Sequence, residues 1–283
     1  MIHSLLAVYA VLLLVAGLII VCKVYGLALF DELLVKENLA VALALAGFVL
    51  GLLFALTGLA YGPISPAWSV SLTYIGLEGL LALALLILTV AVTDRLLLPR
   101  FPIVQEISAD RNIGVACVVA GVSVSAGLVI NGTLCGYSTS ILTAVRDVVL
   151  YWILAQLAIW ITLRVIIALR PFDFLRQLEE DDNLASGLSA GFFVICLGVL
   201  ARSAVIHSGQ ADLWWDLGNS LWRWLLGLAG LVAFLSVQKL ILRRRGTSIM
   251  DLELANSPAP VLLLGVFQLA MAILIGLLLQ RPG

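Results

Sequence analysis

Apolar residues fall along this chain in long runs, and polar residues gather in short clusters between them. Four runs carry no charge: Leu5–Cys22, Leu39–Tyr61, Ile113–Leu134 and Val261–Leu279. A helix needs about 20 apolar residues to cross the hydrocarbon core of a bilayer, and each of these meets that length. Trp68–Val92 does so with one interruption, Glu78. Val148–Leu169 has Arg164 near one end, and Leu184–Ile206 has Arg202 near the other. Leu217–Leu242 has Arg223 and Lys239 flanking an uncharged centre. The pattern predicts an all-α integral membrane protein of eight transmembrane helices. The first run is expected to be a true span: Met1 to Ser4 lacks the basic stretch of a signal peptide, and no convincing small-residue cleavage site follows Cys22.

The polar clusters set an orientation. Lys23, Lys36, Arg95, Arg100, Arg111, Arg164, Arg170, Arg176, Lys239, Arg243, Arg244 and Arg245 fall on one side. Only Arg146, Arg202, Arg223 and Arg281 fall on the other. Basic residues collect on the cytoplasmic side of a membrane protein, so both termini are expected outside. The outer side also gathers Tyr61, Trp68, Tyr74, Tyr137, Tyr151, Trp152, Trp214, Trp215 and Trp222, rings that favour the headgroup layer.

Composition agrees with the spans. The chain has 283 residues, 63% hydrophobic and 12% charged, where a soluble domain carries roughly 25% charged residues. The formal net charge of −1, with no basic and aromatic cluster, gives no argument for nucleic acid. Cys22, Cys117, Cys135 and Cys196 show no C-x-x-C spacing, so no dithiol or zinc motif is indicated.

A repeat runs beneath the spans. Asn38, Asn112, Asn183 and Asn256 each stand at the inner start of an even-numbered span. Gly47, Gly121 and Gly265 follow three of them by the same interval, and Gly191 comes one residue early. Carboxylates crowd ahead of each Asn, among them Glu32, Glu37, Glu106, Asp110, Glu180 and Asp182. Four helical hairpins running the same way are expected, related by rotation about the membrane normal. They fall into two halves, residues 1–137 and 138–283.

Asn is a preferred helix N-cap, and carboxylates are favoured at the positive end of the helix dipole, so local capping accounts for the cluster. The alternative is that the four Asn and acid groups converge on a common axis and bind a cation or a cytosolic protein partner. The even spans are rich in small residues, with Gly47 and Gly51, Gly58 and Gly62, and Gly187 and Gly191 each four apart. In lipid, helices associate through close backbone packing at such positions, so the even helices are expected to form the inner set.

The segment Lys36-Glu37-Asn38-Leu39-Ala40-Val41-Ala42-Leu43-Ala44-Leu45-Ala46-Gly47 is echoed by Asp110-Arg111-Asn112-Ile113-Gly114 through Ala120-Gly121 and, more loosely, by Asp182-Asn183-Leu184-Ala185. The pattern resembles the family catalogued as domain of unknown function three-fifty, small bacterial inner-membrane proteins whose hairpin motif occurs in tandem. The fourth unit departs from it, since Asn256 is followed by Ser257-Pro258. The resemblance implies a bacterial inner-membrane location. It brings no activity and no catalytic residues.

Ionisable groups at membrane depth are costly and ask for a partner. Glu78 and Arg202 both lie toward the outer leaflet, Asn131 and Thr57 at a similar height, and Arg146 and Asp147 at the outer start of span five. Glu78 is expected to pair with Arg202, or else with Arg146, in an outer polar layer that is either a structural ion pair or a binding site. His207 with Asp212 and Asp216 lacks tight metal-ligand spacing. No nucleophile elbow or phosphate loop is present, so no metal, cofactor or enzyme activity is expected. Two functions remain. One is a non-enzymatic scaffold or regulator whose acidic inner face docks a cytosolic protein. The other is a transporter or ion channel using the polar groups at membrane depth. A polar path joining the acidic mouth to Glu78 would favour transport, and a dry Gly/Ala/Leu core the scaffold.

Overall fold

The computed structural model describes residues 2–61, 68–96, 102–135, 140–206 and 212–280. Arg100, Tyr137, His207 and Arg281 lie outside the described residues, as do the side chains of His3 and Trp68. Eight long helices are apolar enough to cross a membrane: α1 (Ile2–Val24), α2 (Leu39–Thr57), α3 (Trp68–Leu96), α5 (Ile113–Leu134), α6 (Ile141–Ala168), α8 (Leu184–Val205), α9 (Leu213–Arg244) and α11 (Pro258–Gln280). The protein is a multi-pass membrane protein, with no strand among the described residues. Helix α6 starts seven residues before the apolar run does, because Ser140 and Thr143 form a reciprocal capping box there.

Short helical pieces precede the even spans. They are a π-helical turn at Asp31–Val35, then α4 (Ile103–Ser108), α7 (Phe174–Glu179) and α10 (Ile249–Leu254). After each comes one residue in the left-handed region: Glu37 (φ 49), Arg111 (φ 56), Asp182 (φ 46) and Asn256 (φ 45). That residue turns the chain into the next helix. These four, rather than the four Asn, are structural equivalents. Asn256 is therefore not the fourth cap. It stands one position early, and Ser257 occupies the place of Asn38, Asn112 and Asn183. The reason lies in Pro258 and Pro260. Proline fits the first turn of a helix and has no N–H to cap, so α11 needs no amide side chain at its start.

The even spans pack in the order α2, α5, α8, α11. Space for a Cβ is missing at the contacts. Gly47 meets Ala120, Gly51 meets Ser123 and Gly58 meets Asn131. Gly114 meets Asn183, Gly121 meets Gly191, Gly198 meets Ser125 and Gly132 meets Arg202. Gly265 meets Phe192, and Gly276 meets Ser203. In every pair of helices both residue numbers rise together, so neighbouring helices run parallel. The row is open: among the described residues α2 and α11 share no packed interface. The four units thus do not close into a ring among the described residues: the inner helices α5 and α8 each present small residues to two even-numbered neighbours, and the end helices α2 and α11 to one. Contact between α5 and α8, across the expected boundary between halves, is as extensive as between α2 and α5.

The odd spans flank this row. Helix α1 packs on α2 and α3, α3 on α5, α6 on α5 and α8, and α9 on α8 and α11. Their leucine-rich outer faces are exposed, for example Val8, Leu12, Ile161 and Val237. Helix α5, inside the row, is buried almost all round. Helix α11, at one end, keeps an open apolar face with Leu263, Phe267 and Leu277 exposed.

Candidate functional site

The capped end of the row is a hydrogen-bonded chain. Asn38 Oδ1 accepts from Ala40 N and Val41 N, Asn112 Oδ1 from Val115 N, and Asn183 Oδ1 from Ser186 N. Each amide Nδ2 then works in two other directions. It donates back to the side chain six residues earlier: Glu32 at 3.0 Å, Glu106 at 3.1 Å and Gln177 at 2.9 Å. It also donates forward, to a carbonyl on the short helix of the next repeat: Ile107 at 3.0 Å, Leu178 at 2.6 Å and Glu253 at 2.7 Å. One side chain caps its own helix and ties it to the following unit. Asn256 completes the chain in reverse, its Oδ1 accepting from Ala185 N of the preceding unit.

The position six residues before the cap has three electrostatic settings. Glu32 is bonded by Lys36 at 2.7 Å, and that contact holds its carboxyl below the usual range. Glu106 has Asp110 where Glu32 has Lys36, and burial pushes its carboxyl up, with Asp110, Glu179 and Asp182 adding to the effect. Gln177 fills the place in the third unit without a charge. Glu32 and Glu106 are buried, so they belong to the stitching and not to an exposed acidic face. Glu37, Asp110, Glu180 and Asp182 are exposed there, as is Asp181.

A buried ion pair fastens the last two units. Arg170 Nη1 and Nη2 reach Glu253 Oε2 at 2.6 Å and Oε1 at 3.2 Å. Glu253 is 0% exposed, and the guanidinium lies against the rings of Phe172 and Phe174. Sequence reasoning missed the pair. Its members are 83 residues apart, in linkers that read as ordinary charged loops.

The opposite end of the row carries a second polar chain. Asn131 Nδ2 donates to Phe54 O at 2.9 Å and to Thr57 Oγ1 at 3.0 Å. Arg202 Nε donates to Asn131 Oδ1. Gln280 Nε2 donates to Ser203 Oγ at 3.1 Å, which carries the link to α11. The expected pairing of Glu78 is not formed. Arg202 is turned along the row to Asn131, and Arg146 is held by its neighbour Asp147 at 2.7 Å. Glu78 stays on α3 on the stripe that continues through Ala82 and Leu86, with no ion-pair partner among the described residues. Tyr61, Trp214, Trp215 and Trp222 are exposed at this end, as a headgroup belt requires. Tyr151 and Trp152 are buried instead, Trp152 Nε1 donating to Thr89 Oγ1 at 3.1 Å.

Between the two chains the helices of the row are in close contact. The backbones of α2, α5 and α8 touch at Gly47, Gly51, Gly121 and Gly191, and among the described residues no side-chain hydrogen bond crosses between those helices at these glycines. The family model described as Domain of Unknown Function (DUF350) matches residues 2–134 and again 140–279, two tandem copies. No curated protein and no solved structure matches the chain.

Proposed function

The chain belongs to the family described as Domain of Unknown Function (DUF350), and from that premise we propose that it is a non-enzymatic scaffold of the bacterial inner membrane. Its capped end faces the cytoplasm and both termini lie outside, by the distribution of basic residues along the chain. The observation that carries the reading is the close-packed seam of the row. Conduction needs a wet or polar route, and glycine backbones in contact across three helices leave none there. What the row offers is a rigid face fixed at both ends by lateral hydrogen bonds, with Glu37, Asp110, Glu180, Asp181 and Asp182 exposed on the cytoplasmic edge. A cytosolic protein with a basic surface fits that edge by charge complementarity.

A photo-crosslinking side chain at Asp181 in cells tests this. A discrete cytosolic adduct is expected, lost when Glu180, Asp182 and Asp110 are neutralised together. Adducts that are absent, or that persist after neutralisation, would overturn the reading.

One observation favours transport as the second reading. Glu78 is a carboxyl within a span that has no cation beside it among the described residues. Against this, five cavities among the described residues are lined by other side chains, and Glu78 lines none of these five.

A further inference from the structure

The flanking layer is interrupted once. Helices α1 and α3 touch, and α3 and α6 touch, but among the described residues α6 and α9 share no packed interface. Both lean on α8, which becomes the floor of a cleft open sideways to the hydrocarbon. Its outer half is a cavity of about 280 Å³ walled by Ala155 and Ala158 of α6, Ala201 and Ala204 of α8, and Leu221 and Trp224 of α9. Its inner half, about 310 Å³, is walled by Leu163 and Ile167, Phe193 and Val194, and Val232 and Leu235. The inner half runs into a mouth of about 640 Å³ at the capped end, the two sharing Ile166, Arg170, Leu235, Ile249 and Glu253.

The chemistry changes along the cleft. In the inner half the amide of Gln268 is spent on Gln238, donating at 3.1 Å, Arg170 and Glu253 are spent on each other at the inner end, and apart from Ser189 the remaining walls are hydrocarbon. Its aliphatic and aromatic walls offer few hydrogen-bond partners, and hydrocarbon is their natural occupant. At the mouth Lys239 and Arg243 stand one helical turn apart on α9. Among the described residues neither has an acidic partner. Of the acids beside them, Glu253 is neutralised by Arg170, and Asp251 accepts from the Ser248 hydroxyl at 2.7 Å, which leaves its charge in place but turns it toward the start of its own short helix. The mouth thus carries a net positive charge, Lys239 and Arg243 without an ion-pair partner against the single unpaired carboxylate of Asp251, directly above a largely apolar slot.

We propose that the α6–α9 cleft is a binding site for one anionic phospholipid, with an acyl chain between α6 and α9 and the phosphate at Lys239 and Arg243. The occupant is fixed by the pairing of charge and hydrocarbon. A soluble anion has no use for the slot, and a zwitterionic lipid gains little from two unpaired cations. The site stands independently of the scaffold reading, since it needs neither the acidic edge nor a protein partner.

Native mass spectrometry of the purified full chain, with phosphatidylglycerol or phosphatidylcholine added to the detergent, tests it. The wild type is expected to retain one phosphatidylglycerol in preference to phosphatidylcholine. The double variant Lys239→Gln, Arg243→Gln should weaken that retention by about tenfold or more, and Arg244→Gln with Arg245→Gln should leave it nearly unchanged. Ala190→Trp, which fills the slot, should displace the lipid with the cations intact. Should that variant fail to fold, the charge variants at exposed positions carry the test alone. Equal retention of the two lipids, equal loss in both charge pairs, or full displacement by inorganic phosphate would each overturn the proposal.

Discussion

The side-chain amide of Asn112 donates to the carbonyl of Leu178 at 2.6 Å while its Oδ1 caps its own helix at Val115. A cap needs only the oxygen, and the nitrogen is what joins one repeat to the next. Asn112→Asp separates the two roles. It keeps a good cap but replaces the donor with a charge facing Glu106 Oε2 and a carbonyl. We expect Asn112→Asp to lower stability by about 2–3 kcal/mol, more than Asn112→Ser, where a simple cap would rank them as near equals. Asn256→Asp should be mild, because only Oδ1 is used there. Unfolding in detergent by heat or denaturant measures all three.

Glu32 and Glu106 should respond to pH in opposite senses. The Glu32 carboxyl is held down in the folded state by Lys36, so its contribution is present above its ordinary value and lost as pH falls through the lowered one. The Glu106 carboxyl is raised by burial, so stability is lost as pH climbs from its ordinary value of 4.5 through the raised one. Glu106→Gln should therefore stabilise the protein at neutral pH and flatten the alkaline side of the profile. Glu32→Gln should destabilise it and flatten the acid side. Melting temperatures from about pH 2 to 8 decide the matter, and parallel shifts in the two variants would refute it.

Arg170 and Glu253 form a buried pair whose members cannot be removed singly without leaving a charge. Arg170→Met or Glu253→Gln alone should cost roughly 3–5 kcal/mol, and the double variant clearly less than the sum. Additive losses would show that the two side chains act separately.

The row should be sensitive to any side chain at its seam and indifferent elsewhere. A Cβ at Gly121 would stand 2.6 Å from the Gly191 carbonyl, whereas one at Gly218 would meet nothing within 4 Å. Gly121→Ala should lower the melting temperature by several degrees, while Gly218→Ala should hold or raise it. A seam tolerant of alanine would mean the helices stand further apart than described.

Eight spans were legible because hydropathy sums over some 20 residues and no single side chain decides it. The first three repeats were legible because Asn38, Asn112 and Asn183 do the same work and so look the same. The fourth was misread by one position: Pro258 removes the need for a cap, and Asn256 fits the left-handed turn that Glu37, Arg111 and Asp182 occupy less readily. Lateral order was hidden, since parallel repeats give one sequence pattern whether they stand in a ring or a line. The partner of Arg202 was hidden for the same reason. Spacing along a helix gives height in the membrane but not the neighbour at that height, and Arg202 turned out to continue the line Thr57–Asn131.

A packed row without a conducting path, as proposed above, should carry no ions, and flux measured in proteoliposomes distinguishes it from a transporter. Full-length protein should leave proton and potassium leak no higher than in protein-free vesicles, with Glu78→Gln indistinguishable from wild type. A flux above background that disappears in Glu78→Gln would contradict the account and make Glu78 the centre of a transport site.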